Sequence, residues 1–125
     1  MARTLITLNV AMPKEQAEQI VLDILKRHDF SKDAEKNMWQ KGLGVMVAPS
    51  CLEARFIPGQ VRIEAFLKTG VGLKKEMALS GFYGWAVKAG HAKFMREIFA
   101  ELKAKDNNST EKDVWKDVKI SEIEG

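Results

Sequence analysis

One cysteine, three prolines and two histidines in 125 residues set the first limits on this chain. With Cys51 alone, an internal disulfide cannot form and a thiol-rich zinc site has no ligands. A cytoplasmic setting is the default expectation. His28 and His91 stand near helix ends with no further ligands at metal spacing, so no metal or cofactor is expected. There is no run of about 18 apolar residues, which excludes a helical membrane span. The apolar start turns polar at Asn9 and meets Pro13, too short a run for a secretory signal. Gly42-Leu43-Gly44 lacks the third glycine of a dinucleotide fingerprint and the Gly-Lys-Ser/Thr of a P-loop. It precedes strands rather than a helix and reads as a bulge or tight turn. Neither sign of charge dominates: 20 basic against 17 acidic residues leave a net +3. That falls short of the dense basic patch of a dedicated nucleic-acid binder.

What is present is hydrophobic patterning. Thr4 to Val10 alternates as a strand does, with Thr4, Ile6, Leu8 and Val10 on one side. Pro13 suits the first turn of a helix, and Ala17, Ile20, Val21, Ile24 and Leu25 carry that helix to about His28. Asp29 to Lys36 is polar and loop-like. Asn37 to Lys41 reads as a short strand that Val45-Met46-Val47 continue. Cys51 to Ile57 and Val61 to Thr69 flank Pro58-Gly59, a strong turn signal, and so form a hairpin. Leu73 to Ser80 supplies a last strand. After the Gly81–Gly90 region, His91, Phe94, Met95, Ile98, Phe99 and Leu102 recur at helical spacing.

The expected fold is therefore α+β: a five-stranded, mostly antiparallel sheet with two helices on one face, in the order β-α-β-β-β-β-α. Residues 1–104 form the single domain, and residues 105–125 form a polar tail. Val114, Trp115, Val118, Ile120 and Ile123 leave its docking open, and Thr110 with Asp113 offers a weak cap for a short helix. The element order resembles the fold of one TATA-binding-protein repeat and, more distantly, the helix-grip fold of START-like domains. The uncovered sheet face would carry Glu53, Glu64 and Glu76 among Arg55, Arg62, Lys68 and Lys74. Three carboxylates repel phosphates, so the resemblance does not bring DNA binding with it. A second resemblance rests on Trp39-Gln40-Lys41-Gly42-Leu43-Gly44, Ala48-Pro49, Val61-Arg62-Ile63-Glu64-Ala65 and Gly81-Phe82-Tyr83-Gly84. Over about residues 4–103, these are similar to a functionally uncharacterised domain of short bacterial proteins, often fused to a zinc ribbon or to membrane segments. This chain has no cysteine pairs for a ribbon, so no metal role carries over.

Two surfaces stand out as candidates. Gly81-Phe82-Tyr83-Gly84-Trp85 brings Phe82, Tyr83 and Trp85 to one spot, either for a partner or as a plug for the end of the core. Trp39 and Phe66, with Leu5, form an apolar centre within a charged rim on the uncovered sheet face. The first reading is a non-enzymatic interaction module that meets a protein partner or a second copy of itself. A small apolar-ligand carrier of the helix-grip kind is the alternative, helped by six adaptable methionines. Weak nucleic-acid binding ranks third. Cys51 lacks an evident base, and the glutamates read as salt-laced strands, so catalysis is not expected.

Overall fold

The computed structural model describes residues 2–32, 38–42, 49–69, 75–80, 85–106 and 113–119. Strand β1 (Ala2–Asn9) opens the fold and buries Thr4, Ile6 and Leu8 on one side. Helix α1 (Lys14–Arg27) starts behind Pro13, whose carbonyl accepts from the N–H groups of Gln16 and Ala17 at 3.1 Å. Glu15 in its first turn and Lys26 and Arg27 in its last suit the helix dipole. Ala17, Ile20, Val21, Ile24 and Leu25 form its buried stripe.

The end of α1 positions the candidate site. The Phe30 N–H donates to the Leu25 carbonyl at 3.0 Å, and the Asp29 N–H donates to the Lys26 carbonyl at 3.2 Å. This is the Schellman pattern, which satisfies carbonyls that the helix leaves open. Asp29 takes the left-handed conformation there, φ 64°, where glycine is usual. For a residue with a side chain that costs about 1–2 kcal/mol. The turn returns Phe30 to the core cluster that also holds Leu25.

Strand β2 (Ser31–Lys32) pairs with β3 (Trp39–Lys41), and β3 pairs with β4 (Ser50–Ile57). Pro58 and Gly59 then join β4 to β5 (Gln60–Thr69) through a two-residue turn closed by the pair Ile57↔Gln60. Gly59 has φ 82°, which its lack of a side chain permits. The Val10 N–H donates to its carbonyl at 3.0 Å and pins the turn to the end of β1. The free edge of β5 takes β1 along Gln60–Ala65 and β6 (Lys75–Met77) along Leu67–Thr69. Helix α2 (Trp85–Lys105) follows, and β7 (Val114–Lys119) closes the sheet on the far edge of β1. The sheet order is β2-β3-β4-β5-β1-β7, with β6 beside β5, and every described pairing is antiparallel.

Both helices pack on one face. A single cluster joins their stripes to Ile6, Leu8, Trp39, Leu52, Ala54, Val61, Ile63 and Ala65. The α+β class is thus as expected, but the described residues already form a sheet of seven strands, not five, so the five-stranded repeat resembling TATA-binding protein does not describe it. The two additional strands lie where local pattern is weakest. β2 has two residues, too few to show alternation, inside a segment expected to be loop. β7 lies in the expected tail, which forms a strand over residues 114–119 instead of a short docked helix. The edge of β1 supplies the hydrogen-bonding groups that select strand there. Helix α2 also begins earlier than its apolar spacing suggests, at Trp85, so Gly90 and His91 lie inside it.

Candidate functional site

A cleft of about 410 Å³ opens between α2 and the β3–β4 end of the sheet. Its wall is His28 and Phe30 from the end of α1, Lys41 and Ser50 from the strands, and Val87, Gly90, His91, Lys93, Phe94 and Glu97 from α2. Residues 90, 93, 94 and 97 share one helix face by their spacing of three and four. Four rings run through this region. Phe30 stacks on Phe94 with centroids 4.8 Å apart and planes 12° apart, and on His91 at 6.1 Å and 21°. His28 tilts against Phe94 at 4.8 Å, with its Nε2 3.9 Å from Glu97.

His91 is 3% exposed. Its Nε2 lies 2.8 Å from the Cys51 carbonyl oxygen and therefore carries the proton that it donates. Burial holds its pKa below the usual histidine value, against the opposing pull of that hydrogen bond. The neutral ring leaves Nδ1 as a buried acceptor with no donor among the described residues. His91 and Cys51 are neighbours through a backbone atom only. The Cys51 side chain lies on the opposite sheet face, clustered with Met38 and Phe66. The sheet separates thiol from imidazole, so the two do not form a nucleophile–base pair. Burial pushes the Cys51 pKa up from 9.0 to about 11. At pH 8 that leaves about a hundredfold less thiolate than in the unfolded chain. The native protein should react with a disulfide reagent at least about 100-fold more slowly than the urea-unfolded protein, read as thiol release over time.

The sheet face turned away from the helices is not the apolar contact surface expected of it. Trp39 is opposite Leu52 in register and belongs to the helix-facing core. Phe66 does lie on the outer face, but it is fully buried, with the Arg3 guanidinium 4.2 Å from its ring centre. The pairing register explains both, because Thr4↔Ala65 sets Arg3 opposite Phe66. Around them Arg3 gathers three carboxylates. It holds Glu76 through two hydrogen bonds, at 2.7 and 3.0 Å, and reaches Glu53 at 3.0 Å and Glu64 at 3.5 Å. Arg55 meets Glu64 from the other side at 3.4 Å. Burial acts to lower the Arg3 pKa, but Glu76 and Glu53 outweigh it and raise the value further. Glu64 is 2% exposed, and burial raises its pKa in spite of Arg55 and Arg3. These glutamates already have an arginine at their centre, as the salt-laced reading of the strands anticipated. Among the described residues no group of three or more side chains is arranged to hold a metal ion. No described helix is long and apolar enough to cross a membrane.

No family model, curated protein or solved structure matches this chain. The cleft and the outer face therefore have to be read from their own chemistry. Phe82 and Tyr83 lie outside the described residues, and Trp85 is described as the first residue of α2 without its side chain. The cleft residues come from four separate stretches of sequence, and Phe30, Lys41, Gly90 and Lys93 were not candidates from sequence. Gly90 was read from sequence as preceding the second helix, and only the fold places it within α2, where a glycine needs a packing or functional reason.

Proposed function

We propose that this protein is a non-enzymatic binding module that holds a small organic molecule in the α2 cleft. The observation that carries this reading is Gly90. It lies within α2, and a β-carbon built on it would meet nothing within 4 Å. A helical glycine costs about 0.5–1 kcal/mol relative to alanine. Here no close backbone approach returns that cost, and what the glycine does provide is a bare stretch of cleft wall. The cleft volume falls within the usual range of small-molecule sites, and its wall sets two phenylalanine rings beside polar side chains that orient a ligand. Binding is favoured over catalysis because His91 donates its Nε2 proton to a carbonyl and Cys51 faces away.

Gly90→Ala should stabilise the protein by about 0.5–1 kcal/mol in urea denaturation, since it removes the glycine cost and meets no obstacle. Gly90→Phe should fill the cleft. Amide chemical shifts followed during titration with 2-naphthamide should move at Phe30, Ser50 and residues 87–97 in the wild type. In Gly90→Phe the apparent affinity should fall at least tenfold. Shifts elsewhere, or a Gly90→Phe protein that binds like wild type, would remove the cleft from consideration.

A further inference from the structure

We infer that the α2 cleft selects planar organic anions, aromatic carboxylates in particular, through Lys41 and Lys93. The inference rests on the small-molecule reading and names the ligand class. Two observations independent of Gly90 support it.

The first is the ring geometry. His91, Phe30 and Phe94 lie in near-parallel planes, 21° and 12° apart in successive pairs. These rings are 3–8% exposed, so a flat ligand in the cleft meets their margins, and edge-to-face contact is a favoured aromatic arrangement. A branched aliphatic ligand has no such fit. The second is the charge at the mouth. Lys41 and Lys93 both line the cleft and are both solvent-exposed. Neither makes an ion pair with a described carboxylate. The Lys41 Nζ is 6.0 Å from the centre of the Phe30 ring, so its charge lies above the aromatic wall where a bound ring would present its substituent. Glu97 is the one carboxylate among the described residues of the cleft wall, 3.9 Å from the His28 Nε2. Among the described residues of the wall, two ammonium groups against one carboxylate leave a net positive charge, and a ligand carboxylate supplies the missing partner. Hydrogen bonds from ammonium to carboxylate are roughly twice as strong as neutral ones.

The test compares 2-naphthoate with 2-naphthamide, which share shape and differ in charge, by calorimetric titration of the full chain at low and high salt. The inference predicts that naphthoate binds at least tenfold more tightly at low salt and that added salt narrows the gap. The double variant Lys41→Met/Lys93→Met should bring naphthoate down to the affinity of naphthamide and leave naphthamide unchanged. Both residues are exposed, so the fold should tolerate the change, and an unaltered urea midpoint would confirm it. Equal binding of the two ligands to wild type would overturn the anion inference and leave the small-molecule reading standing. Binding of neither would remove both. A naphthoate preference that survives the double variant would also overturn the assignment to these lysines.

Discussion

Arg3→Met should destabilise the protein by about 3–5 kcal/mol, the cost of stranding one partner of a buried ion pair. Arg3 is a strand residue on the face away from the helices, where sequence alone suggests a solvated charge. Instead its side chain is 13% exposed and touches Glu53, Glu64 and Glu76 as well as the Phe66 ring. Glu53 and Glu76 retain some exposure and can turn to water once Arg3 is gone. Glu64 cannot, at 2% exposed, and would keep only Arg55. The pH dependence tests this cause. A carboxyl group with a raised folded-state pKa binds more protons folded than unfolded. Its contribution to stability is therefore full below its unfolded pKa of about 4.5 and is lost as pH rises through the folded value. Removing Arg3 raises the folded value further. The urea midpoints of variant and wild type should thus lie furthest apart near pH 7 and approach each other as the pH falls. Adding Glu64→Gln to the variant should recover part of the loss at pH 7. A variant with wild-type stability at pH 7 would show that Arg3 is a surface charge, and a deficit indifferent to pH would assign the loss to packing on Phe66 rather than to Glu64.

Ending the chain after Asp106 should remove about 3 kcal/mol or more and cause the protein to self-associate. Strand β7 covers the edge of β1 over six register pairs, from Ala2↔Lys119 to Thr7↔Val114. It buries Val118, packs Trp115 on the main core and brings in Asp117. Asp117 accepts hydrogen bonds from the Thr4 hydroxyl at 2.6 Å and from the Ser80 hydroxyl. Thr4 in turn accepts from the Leu79 N–H at 2.8 Å, so one aspartate links β7, β1 and the segment after β6. Asp113 adds an ion pair to Lys103 at 2.9 Å and a hydrogen bond from the Trp115 indole at 2.6 Å. Each hydrogen bond contributes about 1 kcal/mol net, and the lost apolar burial adds to that. The truncation also uncovers the six-residue edge of β1 from Ala2 to Thr7, a template for pairing with another chain. Sedimentation velocity alongside urea denaturation reads both effects. A monomer with an unchanged midpoint would place residues 114–119 outside the cooperative unit.

The two helices, the long β4–β5 hairpin and the inward face of each long strand were legible in the sequence because each is a local pattern. Ile20, Val21, Ile24 and Leu25 recur at helical spacing wherever the rest of the chain goes. Val61, Ile63 and Ala65 alternate with Arg62 and Glu64, and Pro58-Gly59 sets the turn between the strands. Trp39 was misplaced because its strand is three residues long, too short for alternation to tell one face from the other. Phe66 was placed on the correct face, but its burial depends on Arg3, 63 positions earlier in the chain. Gly90 and His91 were read as lying before or at a helix start because glycine masks helical spacing, and only the fold shows α2 continuing through them.

By itself, the sequence determined the class: α+β, with amphipathic helices against an antiparallel sheet, and a lone thiol. Periodicities of 3.6 and 2 residues are properties of the chain, and burial of one face follows from them. Only the tertiary structure decided the strand count, the partner of the β1 edge, the arginine among three glutamates and the cleft. Each of these joins residues far apart in sequence, such as Phe30 with Phe94 or Thr4 with Asp117. Their pairing is set by sheet register and helix packing, which no window of neighbouring residues encodes.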